Sequence, residues 1–261
     1  MSSHGSLGFG ARVDVGAAQG QAGQLLLDPT NIEIRDGATD SHFATIALLD
    51  PSPSAGNSFG SGGVLQLGSE SNGNYVVNSP LYDLGTTLDV GAVRLYSAQG
   101  VLLGSLFGST AGDQVGSGGV LAVGTGLANY VVSSPSWRNG TLSNAGAVTW
   151  RSGTGLGGGA STVSDTNSLV GTHANDFISK PATPAPKGIP GSDGQIITVF
   201  PATEPDLKGV YVLSDGNYVV SSPGWNGGRG AVTWGNGNTP TVAAVGSGNS
   251  LVGSTAGDAV G

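Results

Sequence analysis

"NYVVNSPLY" at 74–82 returns as "NYVVSSPSW" at 129–137 and again as "NYVVSSPGW" at 217–225. An aromatic residue followed by two valines suits a pleated strand, and the Ser-Pro step after it ends the strand, because proline has no amide to give to a ladder. Each copy reads as one strand leading into a turn. Outward from it, "FGSGGVLQLG" (59–68), "VGSGGVLAVG" (115–124) and "KGVYVLSDG" (208–216) precede the phrase. "VGAVRLY" (90–96), "AGAVTW" (145–150) and "RGAVTW" (229–234) follow it, and "GSLFGSTAGD" (104–113), "NSLVGTHAND" (167–176) and "NSLVGSTAGD" (249–258) close the unit. Four short apolar segments separated by Gly, Ser, Asn and Pro predict a four-stranded antiparallel meander, repeated three times.

The pattern inside the strands predicts how the units pack. A sheet with one wet face alternates apolar and polar residues, yet "GVLAV", "YVV" and "SLV" place apolar groups on both faces. Each sheet is therefore expected to be covered on both sides, and the simplest cover is another copy. The expected fold class is all-β: four-stranded antiparallel blades in a partial or open β-propeller, preceded by a short β-helix-like N-terminal segment. A β-helix for the repeats themselves is the rival, but its coils use far fewer residues than the spacing of about 55 between Tyr75 and Tyr130.

Composition limits the function classes. The 261 residues include 48 Gly and 13 Pro, which leaves little room for helix. With 38% hydrophobic residues and only 10% charged, the chain is too apolar for disorder. A net charge of −8 and a pI near 4.5 argue against nucleic acid and anionic membranes as partners. No apolar run approaches the roughly 20 residues that cross a bilayer, so no membrane insertion is expected. The opening "MSSHGSLGFGARVDVG" lacks the apolar core of a secretory signal and reads as a start inside a longer frame. The absence of cysteine excludes disulfides and thiolate metal sites, and suits export through a narrow pore.

Two resemblances sharpen this reading. Phe59-Gly60 early in the unit, Asn-Ser-Pro (78–80) or Ser-Ser-Pro (133–135, 221–223) after the second strand, and "GAV" opening the third resemble FG-GAP repeats of integrin-α-type propellers over roughly residues 56–254. Members of that family often hold calcium in an Asp-rich loop between the first and second strands. Here those loops are "GSESNGN" (68–74), "GTGLAN" (124–129) and "SDGN" (214–217), with Glu70 and Asp215 the lone carboxylates, too few for the six to eight oxygens calcium takes. No cofactor is expected. Separately, "GQLLLDPTNIEI" (23–34) after the Gly-rich "VDVGAAQGQA" (13–22) resembles the parallel β-helix of filamentous-haemagglutinin-like exoproteins. That resemblance implies a large bacterial adhesin exported by two-partner secretion, extracellular or held at the cell surface, with an outer-membrane secretion partner.

The implied organisation is residues 1–38 as the end of the β-helix-like segment, 39–110 as a first blade with a lead-in strand, 111–172 as a second, and 173–254 as a third. Residues 255–261, "TAGDAVG", repeat "TAGDQVG" (110–116) and read as the start of a fourth unit. Three blades do not close a ring, so either further units follow or "QLLLD" (24–28) and "TIALLD" (45–50) patch an exposed edge. The third unit is longer by a stretch at 179–208 that carries six prolines and Lys180, Lys187 and Lys208. It is expected to be extended, with a strand at "GQIITVF" (194–200), and is open to two readings: a contact loop or a tolerated insertion.

Chemistry is sparse. His4, His42 and His173 lie in unrelated contexts, and Asp113, Asp176 and Asp258 recur once per unit, which suits a turn role in which a carboxylate binds nearby amides. "GTGLGG" (153–158) has the glycines of a dinucleotide loop but no following helix, and "NGT" (139–141) fits a glycosylation acceptor that a bacterial exporter would leave idle. No catalytic or metal residues are assigned. Tyr82, Trp137 and Trp225 occupy equivalent places two residues after each turn proline and could either stack on sugar rings or pack between repeats; Trp150 and Trp234 suit packing. The expected function is a non-enzymatic adhesin scaffold that contacts host or neighbouring-cell glycans or proteins through many modest interactions. The alternative is a carbohydrate-binding, lectin-like propeller using Trp137, Trp225 and Tyr82.

Overall fold

The computed structural model describes residues 46–54, 56–68, 73–155, 159–180 and 209–261, together with the backbone of four further strands. The chain divides into two units, Met1–Ala47 and Leu48–Gly261. In the first, β1 (Ser2–Ser6) pairs in parallel with β2 (Asp28–Asn31). The rest of the segment expected to resemble a β-helix, 1–38, lies outside the described residues.

The second unit is all-β and built from the three copies. In the first repeat, β3 (Val64–Gln66), β4 (Tyr75–Ser79), β5 (Ala92–Tyr96) and β6 (Leu102–Phe107) form the expected antiparallel meander. The second repeat starts the same way with β7 (Gly119–Val123), β8 (Asn129–Ser134) and β9 (Ala147–Arg151). Its chain then leaves its own sheet: β10 (Ala160–Thr162) pairs in parallel with β6 of the first sheet, after which β11 (Ser168–Val170) returns to lie beside β9. Within the insertion, β12 (Lys187–Pro190) and β13 (Ile196–Val199) make an antiparallel hairpin, so the strand expected at 194–200 has a partner from the same stretch. The third repeat has β14 (Val210–Val212), β15 (Tyr218–Ser222) and β16 (Ala231–Gly235), lends β17 (Ala243–Ala244) in parallel to β11, and returns with β18 (Ser250–Val252) beside β16. The three sheets therefore hold five, five and four strands, and none closes into a barrel.

Neighbouring residues of each Tyr-Val-Val point to opposite faces, as the period of two requires. Val76, Val93 and Leu106 of the first sheet meet Tyr130, Val132 and Ala147 of the second in one core. Val131, Val148 and Leu169 of the second sheet meet Tyr218, Val220 and Ala231 of the third in another. The middle sheet is thus covered on both faces by its neighbours, which is why its strands carry no polar alternation.

Among the described residues no copy covers the outer face of the first sheet; Leu49, Asp50, Ser52 and Phe59 lie against it instead. Tyr96 donates its hydroxyl hydrogen to Leu49 O at 2.6 Å, and Phe59 meets the Tyr96 ring edge-on at 6.5 Å. Arg94, in register where the other repeats have Thr149 and Thr233, is buried with its guanidinium 4.2 Å from the Tyr82 ring centre and its Nη2 3.4 Å from Asp50 Oδ1. The ion pair and the aromatic cage offset the desolvation of the charge. Leu49 and Asp50 of "TIALLD" therefore lie against a sheet face, and residues 48–50 form no strand at a sheet edge.

Glycine is required where a connecting segment crosses the third strand. Gly91, Gly146 and Gly230 all have φ near +78°, and a Cβ on them would lie 2.2, 2.3 and 2.2 Å from the backbone nitrogens of Val115, Ile178 and Val260. We expect Gly146→Ala to lower stability by roughly 2–4 kcal/mol in urea unfolding, from backbone strain plus displacement of the crossing chain. Gly159→Ala, with open space at its Cβ, should change it by less than about 0.5 kcal/mol.

Candidate functional site

Recurring polar residues of the first two repeats act across the joints to the next. Asn129 accepts a hydrogen bond from Gly153 N of its own repeat at 3.3 Å and donates one to Gly237 O of the next at 3.2 Å. Asn74 donates in the same way to Gly153 O at 2.7 Å. These asparagines sit at the loops expected to be the calcium positions of an FG-GAP repeat, and the middle loop also binds its neighbour through Gly124 N to Gly216 O at 2.7 Å. In the third loop, Asp215 accepts from the amides of Asn217, which hold its carboxyl below the ordinary range. Among the described residues, no three His, Asp or Glu side chains gather as metal ligands.

At the opposite strand ends, the serines of the turn motif tie down the connecting segments. Ser79, Ser134 and Ser222 accept with their hydroxyl oxygens from Gly60 N, Gly116 N and Ser179 N. Asn78 donates to Gly116 O, Ser133 shares a hydrogen bond with the Ser179 hydroxyl, and Ser221 donates to Gly261 O. The recurring aspartates have the expected turn role and a second one. Asp113 Oδ2 accepts from Ser109 N and Thr110 N, both at 2.8 Å, while its Oδ1 accepts from Arg138 N in the next repeat at 3.2 Å. Asp176 does the same with Thr172 N and His173 N in its own turn and Asn226 N, at 2.8 Å, in the next repeat. Each such charged bond contributes on the order of 1.5–3 kcal/mol, more than a neutral pair.

Trp137 and Trp225 precede the residues that these aspartates hold, and they sit inside the two inter-repeat cores, 3% and 7% exposed. Tyr82, 2% exposed, packs on Arg94. All three rings are buried, Trp137 and Trp225 as wedges between layers and Tyr82 against Arg94 on the first sheet's outer face, which favours packing over stacking on sugar. Trp150 is half-buried and donates its indole N–H to Gly237 O at 2.9 Å, whereas Trp234 is exposed. His173 is exposed, 3.0 Å from the Thr172 hydroxyl. Asn139 of "NGT" donates its amide to Gly171 O. His4, His42, Glu70 and the last glycines of "GTGLGG" fall where no side chain is described.

A concave site that the sequence reading missed opens where the repeats meet. It has a volume of about 240 Å³ and is walled by Leu95 of the first repeat, Tyr130, Trp150, Arg151 and Asn167 of the second, and Pro240 of the third. The register brings Tyr130 and Arg151 opposite each other on β8 and β9. Burial raises the pKa of the Tyr130 hydroxyl, with Arg151 opposing, and Arg151 Nη1 donates to Ser161 Oγ on the lent strand β10 at 3.0 Å. An aromatic wall with a guanidinium and an amide at its rim can hold a small hydroxylated or carboxylate-bearing group. Arg151 stands where the other repeats have Tyr96 and Gly235, so this chemistry occurs once in the stack, and no repeated motif points to it.

A family model described as a repeat of unknown function, DUF5650, matches residues 70–117, 126–180 and 212–261, more than half of the chain. No curated protein matches the sequence. The matched segments run from the asparagine loop through the Asp-bearing turn to the segment that enters the next sheet, and the strand β7 lies between two of them.

Asp113 and Asp258 differ in environment enough to be told apart by titration. Burial lifts the Asp113 carboxyl above its ordinary 3.8 despite three backbone amides, whereas those of Thr255 and Ser254 hold the exposed Asp258 below it. The stability that Asp113 contributes is therefore full below the ordinary carboxylate range and declines as pH rises through its folded pKa. The contribution of Asp258 is present above that range and lost on acidification. Carboxyl-carbon NMR should give the higher midpoint to Asp113; the reverse order would show that the amides outweigh burial.

Proposed function

This chain belongs to that family of repeats, and on that premise we propose that it is a non-enzymatic scaffold, part of an extracellular or surface-held bacterial adhesin. The observation that carries the reading is the interlocking of repeats. The first and second sheets are each completed by a strand from the next repeat and covered by its face, which suits a molecule that must stay extended and ordered while tethered. The filamentous-haemagglutinin-like phrase at 23–34 and the cysteine-free composition support export. The FG-GAP-like motifs and the face-to-face four-stranded meanders support a propeller-like arrangement of blades, open over these three. Its partners would be glycans or proteins on host or neighbouring cells, with an outer-membrane protein as the secretion partner. Beads coated with the 261-residue chain should be retained under flow on a cell layer several-fold better than albumin-coated beads; equal retention would remove the adhesive role.

A second reading rests on the inter-repeat pocket. The lectin-like function, displaced from Tyr82, Trp137 and Trp225, fits the Tyr130–Trp150–Arg151 wall, whose single guanidinium favours acidic sugars. A glycan array should then show binding to uronate- or sialate-bearing glycans that Arg151→Gln reduces at least tenfold. No binding by the unaltered chain, or binding unchanged by Arg151→Gln, would end this reading.

A further inference from the structure

We propose that the outward face and open edge of the third sheet form a docking surface for a further repeat of the same kind. The inference stands apart from any adhesive or glycan-binding role, because it follows from comparing equivalent positions in the three repeats.

The face comes first. In the second sheet, Val123, Val131, Val148 and Leu169 are buried under the third repeat, with Leu121 and Trp150 packed against them. The pairing registers place Leu213, Val219, Val232, Leu251, Tyr211 and Trp234 at the same positions of the third sheet. There Leu251 is 75% exposed against 0% for Leu169, and Trp234 is 53% exposed. The residues are of the same apolar class as those the stack buries twice, and a continuous apolar face of this kind marks an interaction site.

The edge repeats the point. β6 and β11 each receive a parallel strand from the following repeat, β10 and β17, while β18 has β16 on one side and no partner strand on the other among the described residues. Its backbone groups are the ones that a lent strand would pair.

The polar couplers are also half-used. Asp113 and Asp176 each spend one carboxylate oxygen on their own turn and one on a backbone amide of the next repeat; Asp258 holds its own turn through Oδ2 with Ser254 N and Thr255 N, and among the described residues its Oδ1 receives no such amide. Asn74 and Asn129 donate to a glycine carbonyl of the next repeat, whereas the Asn217 side-chain amide turns back onto Asp215 Oδ2 at 2.7 Å. Val260 N bonds to Arg229 O as Val115 N does to Val90 O and Ile178 N to Ala145 O, so the chain already follows the path by which it enters a new sheet. Face, edge and couplers all match one occupant, a repeat presenting a tyrosine and tryptophan where the third presents Tyr218 and Trp225.

The test is a graft on the full chain. Residues 117–180 are duplicated directly after Gly261, since "TAGDAVG" stands in the register of "TAGDQVG". Hydrogen exchange at Ser250–Val252 should slow at least tenfold relative to the parent chain. Leu251→Asp should restore fast exchange in the extended chain while leaving the parent's thermal midpoint within about a degree, because Leu251 is solvent-facing there. A graft that stays unfolded, or that folds without slowing exchange at 250–252, overturns the proposal. So does a concentration-dependent dimer of the parent in sedimentation that Leu251→Asp abolishes, because the occupant would then be a second copy of this chain.

Discussion

The amide of Asn129 bonds Gly153 in its own repeat and Gly237 in the next, and the carboxylate of Asp113 likewise divides its two oxygens between its own turn and Arg138 N. These shared groups set the rest of the architecture. A single repeat is a small meander with apolar residues on both faces, and it cannot hide them alone. Holding both ends of one layer to the next fixes the spacing at which Val131 and Val148 reach Val220 and Ala231, and the wedges Trp137 and Trp225 fill what remains. The apolar faces provide most of the attraction, and the polar couplers select the register in which it is realised.

Much of this was legible. Four strands per unit, a middle sheet covered on both sides by copies, and a turn role for the aspartates all followed from the spacing of valines, glycines and Ser-Pro steps. Two features were not. The lent strands β10 and β17 carry "AST" and "AA", too short and too mildly apolar to announce themselves, and a parallel edge pairing leaves no local turn signal. The pocket at Tyr130 and Arg151 was hidden because it depends on a departure from the repeat, and the search for repetition averages departures away. The aromatic after each turn proline was visible as a repeated class, but its burial is a property of the joint and not of the strand that carries it.

Arg94 shows how the stack is finished on one side. Where the second and third repeats put Thr149 and Thr233, the first puts a buried guanidinium held by Asp50 and three aromatic rings, Tyr82, Phe107 and Phe59. Nε and Nη1 of that guanidinium have no hydrogen-bond partner among the described residues, so the ring faces and the ion pair carry the compensation. Replacing a small hydroxyl by a long cation turns a face that elsewhere packs on a copy into one that holds the irregular segment around Asp50.

The excursion of β10 to the preceding sheet has a temporal meaning as well as a spatial one. In a chain that folds as it emerges N-terminus first, the first sheet has a vacant flank until some fifty further residues have followed to bring in Ala160–Thr162. Maturation is therefore directional: each layer is sealed by its successor, and the leading layer is always the least finished.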